Sequence, residues 1–170
     1  MPAEAWWEHA TPVGPLLLTA QGEALCGIHF QAGPTPRDPP LGALHMRLPF
    51  GDAIAQLDEY FAGTRRDFDL PLHVEGTPFQ RAAWAAMQAI PYGETAGYGE
   101  LARRMGKAGA VRAVGQACGA NPLPIVIPCH RVLASGHAAG GFGGGLAIKR
   151  QLLELESRGM PFALDVPGRA

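Results

Sequence analysis

Residues 95–121, TAGYGELARRMGKAGAVRAVGQACGAN, decide the architecture of the second half of the chain. TAGYGELARRMG predicts a short helix, KAG a turn, and AVRAVGQACGAN a second helix that ends at Asn121-Pro122. Two helices joined by so short a turn have helix-turn-helix spacing. This spacing is typical of a DNA-binding unit, and it also occurs in the packed helix pairs of many enzymes.

The composition of the second helix is unusual. It is made mostly of Ala, Gly and Val around a single basic residue, Arg112. Small side chains let a helix approach a backbone or a groove closely, whereas helices that read the major groove carry longer polar side chains. Tight packing against another helix explains the same composition, so the residues leave both interpretations open.

A further helix is predicted before this pair. Thr77 has the side chain of a helix N-cap, Pro78 suits the first helical position, and FQRAAWAAMQAI runs in helical spacing to a stop at Pro91–Gly93. Trp84 and Met87 are predicted to pack in the core. The second half of the chain is therefore predicted to be mainly helical.

The first half has the pattern of a small α+β unit. TPVGPLLLTAQGEALCGIHF predicts two strands around a turn at Gln21–Glu23, and FGDAIAQLDEYFAG has helical spacing from Asp52 to a stop at Gly63. TRRDFDLPLHVEGTP follows as an extended linker. We place a boundary near residue 75 and expect an α+β fold. Residues 1–75 form a small domain with a short antiparallel sheet, and residues 76–170 a mainly helical domain.

Cysteine content and hydropathy exclude several classes of protein. Cys26, Cys118 and Cys129 form an odd, widely spaced set without a CxxC pair, which argues against a secreted disulfide framework and against a four-thiolate zinc site. The longest apolar runs, such as PLLL and PIVI, are far too short to span a membrane. We therefore expect a cytoplasmic protein that is not membrane-bound.

Charge is distributed unevenly along the chain. The formal net charge is −1, yet residues 91–150 carry seven basic residues against two acidic ones. A basic segment on an acidic chain is modest evidence for a site that binds a polyanion. Solvated surface charge explains the distribution equally well.

The segment NPLPIVIPCHRVLASG, residues 121–136, places a cysteine directly before a histidine and an arginine. PIVIP predicts a short buried strand that ends at Cys129. Neighbouring positive charge raises the thiolate fraction of a cysteine, and His130 and Arg131 are candidate neighbours. Because adjacent residues on a strand point to opposite faces, His130 would reach the thiol only through a water or a bend. The spacing alone leaves a reactive thiol and an inert buried thiol equally open.

A glycine-rich loop, GHAAGGFGGG, follows and leads into the helix LAIKRQLLELE. It matches neither the G-x-x-x-x-G-K-[ST] nor the G-x-G-x-x-G phosphate-binding pattern, so no nucleotide cofactor is expected. The glycines would instead let backbone N–H groups approach a ligand closely.

PCHRV, preceded by RAVGQACGANP and followed by GGLAIKRQLLELE, resembles the O6-alkylguanine-DNA alkyltransferases, also called methylated-DNA–protein-cysteine methyltransferases. The resemblance runs from GTPFQRAAW to Glu156 in the same order and covers roughly half of the chain. TPVGPLLLTA and LDEYFAG are similar to the variable N-terminal domain of that family. The resemblance implies repair of DNA by direct reversal of the damage, without a cofactor.

The resemblance also implies catalytic roles. Cys129 would accept the alkyl group, His130 would take the thiol proton through a bridging water, and Glu156 would orient and stabilise the imidazolium. The hydroxyl of Tyr98 would assist at guanine N3 as the base leaves. The product is a thioether, which offers water no carbonyl to attack, so each protein molecule would react once.

On DNA, the resemblance implies that the second helix lies in the minor groove of alkylated double-stranded DNA and that Arg112 fills the space of a flipped nucleotide. Asn121 would tie this helix to the active-site strand; a surface salt bridge for Arg112 and a helix-ending cap for Asn121 are the competing roles. We expect a monomer that needs no protein partner. The small residues implied along the groove are Ala110, Val111, Ala113 and Gly115.

The resemblance places an alkyl pocket beside the thiol. Phe142 stands where many relatives have tyrosine, and Cys118 where bacterial relatives often have asparagine. Glycines after Phe142 are expected to leave one wall open, so that the pocket accepts O6-benzylguanine and Gly144→Trp blocks benzyl while sparing methyl. The residues implied for the pocket are Pro124, Val132, Ser135, Phe142, Gly143 and Gly144.

No metal is expected, although some relatives bind structural zinc in the N-terminal domain. Cys26 together with His9, His29 or His73 does not reproduce their ligand pattern.

Two other functions remain as alternatives. An alkyltransferase-like protein would bind damaged guanine without removing the alkyl group, but such relatives lack the cysteine of PCHR. A cysteine-histidine hydrolase would turn over esters or amides and would leave the Arg112 helix unexplained. The sequence leaves open whether O4-alkylthymine is a substrate.

Overall fold

A computed structural model describes residues 3–134 and 142–158 of the chain. Its first part is a four-stranded sheet of order β3-β2-β1-β4. Strands β1, β2 and β3 are antiparallel neighbours, and the two-residue edge strand β4 runs parallel to β1. The strands are β1 (Ala5–His9), β2 (Leu16–Gln21), β3 (Ala24–Phe30) and β4 (Leu44–His45).

The predicted hairpin is confirmed, because β2 and β3 are joined at Gly22-Glu23. The sequence did not reveal β1, which completes the antiparallel sheet. Strand β2 is buried on both faces, since Leu16 to Ala20 are all buried. Both faces of the sheet are therefore covered at this strand.

Helix α1 (Gly51–Phe61) follows a short 3-10 turn at Leu48–Phe50. Its buried residues recur at helical spacing, and Gly63, at φ 79°, takes the left-handed conformation that ends it. The predicted helix is thus confirmed. Its buried side chains are Ala53, Ile54, Leu57, Tyr60 and Phe61.

The segment that follows α1 is extended, as predicted, and it is attached to the sheet. The amide of Leu25 donates to the carbonyl of Pro71 at 2.9 Å, and the amide of His73 donates to the carbonyl of Leu25 at 2.9 Å. This short parallel bridge holds the linker against strand β3.

Helix α2 (Pro78–Gln88) begins at the predicted N-cap. The amide of Gln80 donates to the Thr77 hydroxyl at 3.1 Å, and the Gln80 side chain accepts from the Thr77 amide at 2.9 Å, which is a capping box. Trp84 and Met87 are buried, and Trp84 Nε1 donates to the carbonyl of Ala117 at 2.8 Å. Helix α2 is thereby fixed to the helix that contains Ala117.

The predicted helix pair is confirmed as α3 (Tyr98–Arg104) and α4 (Val111–Gly119). The two helices pack through Leu101, Ala102 and Val114, which are all fully buried. Two short parallel strands, β5 (Ala96–Gly97) and β6 (Val132–Leu133), lie beside them. This pairing brings the start of α3 next to the segment that follows Cys129.

The predicted strand PIVIP is wrong, although the segment is buried as expected. The chain bends at 122–123 and turns at 125–126, where an isolated bridge joins Pro124 to Ile127. Ile125 has a φ of 76°, which is rare for a β-branched residue. Hydrogen bonds within the segment run from the Ile127 amide to the Leu123 carbonyl and from the Cys129 amide to the Ile127 carbonyl, both at 2.8 Å. Prolines at 122, 124 and 128 lack the N–H groups that a strand would need.

A 3-10 turn, Cys129–Arg131, replaces the strand end, and helix α5 (Leu146–Arg158) completes the described chain. One continuous core joins both halves of the molecule, and the Ile28 amide on β3 donates to the Pro122 carbonyl at 2.9 Å. The α+β class is confirmed. Among residues 3–134 and 142–158, no helix has the length and apolar character needed to cross a membrane.

Candidate active site

The Cys129 thiol lies at the start of the 3-10 turn, 6% exposed, on the wall of a cavity between the two halves of the chain. Burial raises its pKa to about 11, while a hydrogen bond with Asn121 and the charge of Lys149 act in the opposite direction. The thiol is therefore protonated at neutral pH. Its reaction as a nucleophile requires a base that removes the proton.

His130 is fully buried, and its Nε2 lies 2.7 Å from Oε2 of Glu156. Burial opposes ionisation of Glu156, but the charges and hydrogen bonds of His130 and Arg131 outweigh it and bring the pKa of Glu156 to about 2. An ionised carboxylate only accepts hydrogen bonds, so Nε2 of His130 must carry a proton. In the neutral ring, Nδ1 is then the free base.

Nδ1 of His130 is buried and has no hydrogen-bond partner among the side chains and backbone of the described residues. An unpaired buried nitrogen is rare in native proteins and often marks a catalytic role. The ring thus faces one way to Glu156 and presents a free basic nitrogen on its other side. This is the arrangement that a general base needs.

Arg131 does not act on the thiol, contrary to the suggestion from its position in the sequence. Its guanidinium binds Glu156 with two hydrogen bonds, Nε to Oε1 at 2.7 Å and Nη2 to Oε2 at 3.1 Å, and Nη1 donates to the Ile90 carbonyl at 2.7 Å. Arg131 therefore compensates the buried charge of Glu156.

The basic side chain that acts on Cys129 is Lys149, which sequence reasoning missed. It is fully buried, and its Nζ donates to the Val132 carbonyl at 2.8 Å. Helical spacing could have revealed it, because Lys149 lies three residues before Leu152 and seven before Glu156, on the buried face of α5.

Tyr98 is half-buried at the start of α3. Burial, and then the proximity of Cys118 and Cys129, raise the pKa of Tyr98 to about 12, so the hydroxyl keeps its proton and can donate it. Cys118, on the inner face of α4, also lines the cavity, and burial raises its pKa to about 12. The structure thus brings the tyrosine hydroxyl and two thiols together.

The outer face of helix α4 carries small side chains and one basic residue. Arg112 is exposed and makes no ion pair with any side chain in residues 3–134 and 142–158. Val111 is 43% exposed, and nothing lies within 4 Å of a Cβ placed at Gly115. Ala110 and Ala113 are partly exposed. Together these residues form the face predicted for a groove.

Asn121 ties the end of α4 to the segment that carries the thiol. Its Nδ2 donates to the Ile127 carbonyl at 2.8 Å, and its Oδ1 accepts from the Leu123 amide at 2.9 Å. With its hydrogen bond to Cys129, Asn121 contacts both sides of the turn. This geometry favours the interpretation that Asn121 links α4 to the segment containing Cys129 over that of a simple helix cap.

Of the residues implied for the pocket, Pro124, Phe142, Gly143 and Gly144 line the cavity beside Cys129. Val132 does not; it is fully buried on β6 and contributes its carbonyl to Lys149. Ser135 lies outside the described residues.

The expectation of open space at Gly144 is wrong. A Cβ there would lie 2.6 Å from Phe30 Cδ2 and 2.8 Å from Phe142 Cε2, so the glycine is needed for close packing of the two rings. The open position is Gly143, which is exposed and has nothing within 4 Å of an added Cβ.

The first half of the chain also lines the cavity, which sequence reasoning did not foresee. Phe30 packs on Phe142 with ring centroids 5.4 Å apart, and His29, Thr35 and Arg37 lie at the rim. Burial, and then the charge of Arg37, lower the pKa of His29 to about 4, so this ring is neutral at neutral pH. Within the described ranges, no three His, Cys, Asp or Glu side chains are grouped to hold a metal ion.

A buried cysteine, a histidine held by a carboxylate and an exposed helix of small residues together define a thiol-dependent protein with a helix-turn-helix surface. Residues 9–74 match the model of the 6-O-methylguanine DNA methyltransferase ribonuclease-like domain, and residues 78–158 match that of its DNA binding domain. The chain belongs to the 6-O-methylguanine DNA methyltransferase family.

Similar proteins support this assignment. The methylated-DNA–protein-cysteine methyltransferase of Mycobacterium tuberculosis is 43% identical over 161 residues, 92% of this chain and 94% of that protein. The enzyme of the same name from Methanosarcina acetivorans is 42% identical over 146 residues, 86% and 94% of the two chains. The crystal structure of M. tuberculosis OGT in complex with DNA aligns with a TM-score of 0.81 and 42% identity, covering 92% of this chain and 95% of that one.

Proposed function

We propose that Cys129 accepts the alkyl group when this chain repairs DNA. The activity itself is methyl transfer from methylated DNA to a protein cysteine, which reverses the damage directly; both halves of the chain match the family with this activity. The choice of Cys129 is supported by the free Nδ1 of its neighbour His130. The other two cysteines have no adjacent histidine in the sequence.

In the proposed reaction, Nδ1 of His130 takes the thiol proton through a bridging water. Glu156, already ionised, stabilises the imidazolium through its 2.7 Å hydrogen bond with Nε2. The buried ammonium of Lys149 stabilises the thiolate, since its charge lowers the pKa of the thiol. The thiolate then attacks the alkyl carbon in line with the bond to guanine O6.

The leaving group requires a proton. As the sulfur–carbon bond forms, the carbon–O6 bond breaks and its electron pair passes into the guanine ring. Tyr98 donates its proton to guanine N3, and the imidazolium returns the thiol proton to the phenolate. Overall, the thiol hydrogen is exchanged for the alkyl group. The thioether product is stable, so one protein molecule removes one alkyl group.

We propose that α4 binds alkylated double-stranded DNA from the minor groove. The exposed, small-sided face of Ala110, Val111, Ala113 and Gly115 allows close approach, and the unpaired Arg112 enters the base stack in place of the flipped nucleotide. Flipping costs a few kcal/mol, so a side chain that fills the gap lowers the barrier.

The same proposal includes the domain division, the oligomeric state and the cellular location of the protein. The division at residue 75 is supported by separate family matches to residues 9–74 and 78–158. A monomer suffices, because the residues assigned to transfer and to DNA contact lie on one chain. A reducing cytoplasm suits a protein whose activity depends on a free thiol.

The proposal is tested by incubating the protein with duplex DNA that carries labelled O6-methylguanine and measuring the intact protein mass. We expect one added methyl group per chain, on the peptide that contains Cys129. Cys129→Ser should bind the DNA and gain no mass. Label on Cys26 or Cys118, or many turnovers per protein, would contradict the assignment.

The same experiment separates the alternatives. A protein that only binds damaged DNA would leave both the DNA and its own mass unchanged. A cysteine-histidine hydrolase would release product repeatedly from an ester substrate, and its thiol would return to the free form.

A further inference from the structure

Tyr60 connects the first half of the chain to the proposed base. It lies on α1, is fully buried, and its hydroxyl donates to Oε2 of Glu156 at 2.6 Å, across 96 residues of sequence. The same oxygen lies 2.7 Å from Nε2 of His130. The alkyl-transfer steps described above assign no role to this tyrosine.

We propose that Tyr60 is a positioning residue for alkyl transfer: its hydroxyl holds the Glu156 carboxylate in the orientation in which Oε2 accepts the Nε2 proton of His130. The inference rests on the proposed function of His130 as the base. It assigns the first half of the chain a role in the reaction, in addition to its packing in the core.

The carboxylate has competing partners, which is why its orientation needs support. Arg131 occupies Oε1 at 2.7 Å and reaches Oε2 at 3.1 Å. Without the Tyr60 hydroxyl, only the imidazole and the longer bond from Arg131 would hold Oε2, and the carboxylate would be freer to rotate toward the guanidinium. The Tyr60 hydroxyl opposes that rotation, because a hydrogen bond to an ionised group is short, strong and directional.

The tyrosine itself is rigidly held. Its ring packs edge-on against Phe61 at 5.2 Å between centroids and against Tyr92 at 6.3 Å, and it contacts Phe68 at 5.6 Å. A hydroxyl on so fixed a ring has one available position. It can therefore define where Oε2 lies.

The protonation states agree with this geometry. Burial, and then the Glu156 charge, raise the pKa of Tyr60 well above its usual value, so the hydroxyl remains a donor. The groups that face Glu156 are Tyr60 from α1, His130 and Arg131 from the 3-10 turn, and Tyr92 from the loop after α2. With two fixed donors besides the imidazole, the proton of His130 is kept on Nε2 and Nδ1 stays free.

The first test compares wild type with Tyr60→Phe, which keeps the ring and removes only the hydroxyl. We expect transfer from methylated duplex DNA and from free O6-benzylguanine to slow by the same factor, on the order of tenfold. DNA affinity, measured in the Cys129→Ser background, should not change. The matched control is Tyr92→Phe, which removes a neighbouring hydroxyl that has no hydrogen bond in the described part of the chain and should transfer at the wild-type rate.

The second test reads the histidine directly. In protein labelled with ¹⁵N-histidine, long-range proton–nitrogen spectra distinguish the two ring tautomers, and the His130 signals are assigned by their absence from His130→Gln. We expect wild type to hold the proton on Nε2 and Tyr60→Phe to show a mixture with Nδ1 protonated. A purely structural role would lower the thermal midpoint without changing the tautomer.

The outcomes are distinct. If wild type gains no alkyl mass at Cys129, the proposed function fails. If wild type is alkylated but Tyr60→Phe matches it in rate and tautomer, only the role of Tyr60 is overturned. Should Tyr60→Phe be too unstable to assay, the wild-type spectrum still decides, since protonated Nδ1 there would contradict the inference.

Discussion

Replacing Glu156 with glutamine removes the carboxylate that three buried side chains share. Tyr60, His130 and Arg131 all donate to it, and it is 4% exposed. A glutamine has similar shape but carries no charge and presents donors of its own. The buried guanidinium then loses its counter-charge, and at least one hydrogen bond is replaced by a clash between donors.

The expected loss of stability in Glu156→Gln follows from the lowered pKa of Glu156. Burial raises the pKa of Glu156, and its contacts with His130 and Arg131 outweigh burial and bring it from 4.5 to about 2. A depression of that size is worth roughly 3 kcal/mol of stability. Because the folded-state pKa lies below the unfolded one, this contribution is complete above the unfolded pKa and disappears as the pH falls toward 2. Breaking a buried ion pair from one side costs about 3–5 kcal/mol, which agrees.

The assay is urea unfolding of wild type and Glu156→Gln between about pH 7 and pH 2.5. We expect the variant to be less stable by roughly 3 kcal/mol at neutral pH and the two proteins to converge at the acidic end, where wild-type Glu156 takes up a proton. Glu100→Gln is the control, because it removes an exposed carboxylate that pairs with Arg104 and should cost less than about 1 kcal/mol. A difference that stays constant with pH would refute the depressed pKa.

Two further predictions concern α4, the helix proposed to bind DNA, and the pocket. Arg112→Ala should slow repair of duplex DNA far more than attack on free O6-benzylguanine, because only the duplex requires base flipping; equal losses in the two rate measurements would assign Arg112 to the fold instead. Gly144→Ala should lower the thermal midpoint and slow both methyl and benzyl transfer, since its Cβ meets Phe30 and Phe142, while Gly143→Ala should leave the midpoint unchanged. Equal midpoints for the two alanine variants would contradict the packing described for Gly144.

Local patterns predicted the elements whose signals are local. The N-cap at Thr77, the helical spacing of α1 and α4, and the turn at Gly22 all depend on residues a few positions apart. Strand β1 and the two-residue pair β5 and β6 depend on partners distant in sequence, and short strands have little periodicity of their own. The apolar segment before Cys129 was misassigned because burial and β-branched residues outweighed its three prolines.

The residues of the candidate site can likewise be separated into those that the sequence identified and those that it did not. Cys129, His130 and Glu156 were identified by resemblance, since 26 residues separate the imidazole from its carboxylate and no periodic pattern joins them. Helical spacing places Lys149 and Tyr60 on the buried faces of α5 and α1, but it does not identify the groups that they contact. Their partners lie 17 and 96 residues away. The sequence did not reveal that β3 and the following loop line the cavity for the same reason: the residues they face are distant in sequence.

The raised pKa of Cys129 suits its proposed role as an acceptor thiol that reacts only once. A thiol exposed and ionised at rest would react with electrophiles and oxidants in solution, and each such event would consume one protein molecule. Burial keeps the group protonated, with a pKa of about 11, and the free Nδ1 of His130 and the charge of Lys149 remain in place for the moment a substrate enters. Reactivity then depends on the alkylated base occupying the cavity rather than on the thiol alone. The arrangement favours selectivity over intrinsic nucleophilicity. An enzyme that regenerates its thiol after each turnover would have less need of that selectivity.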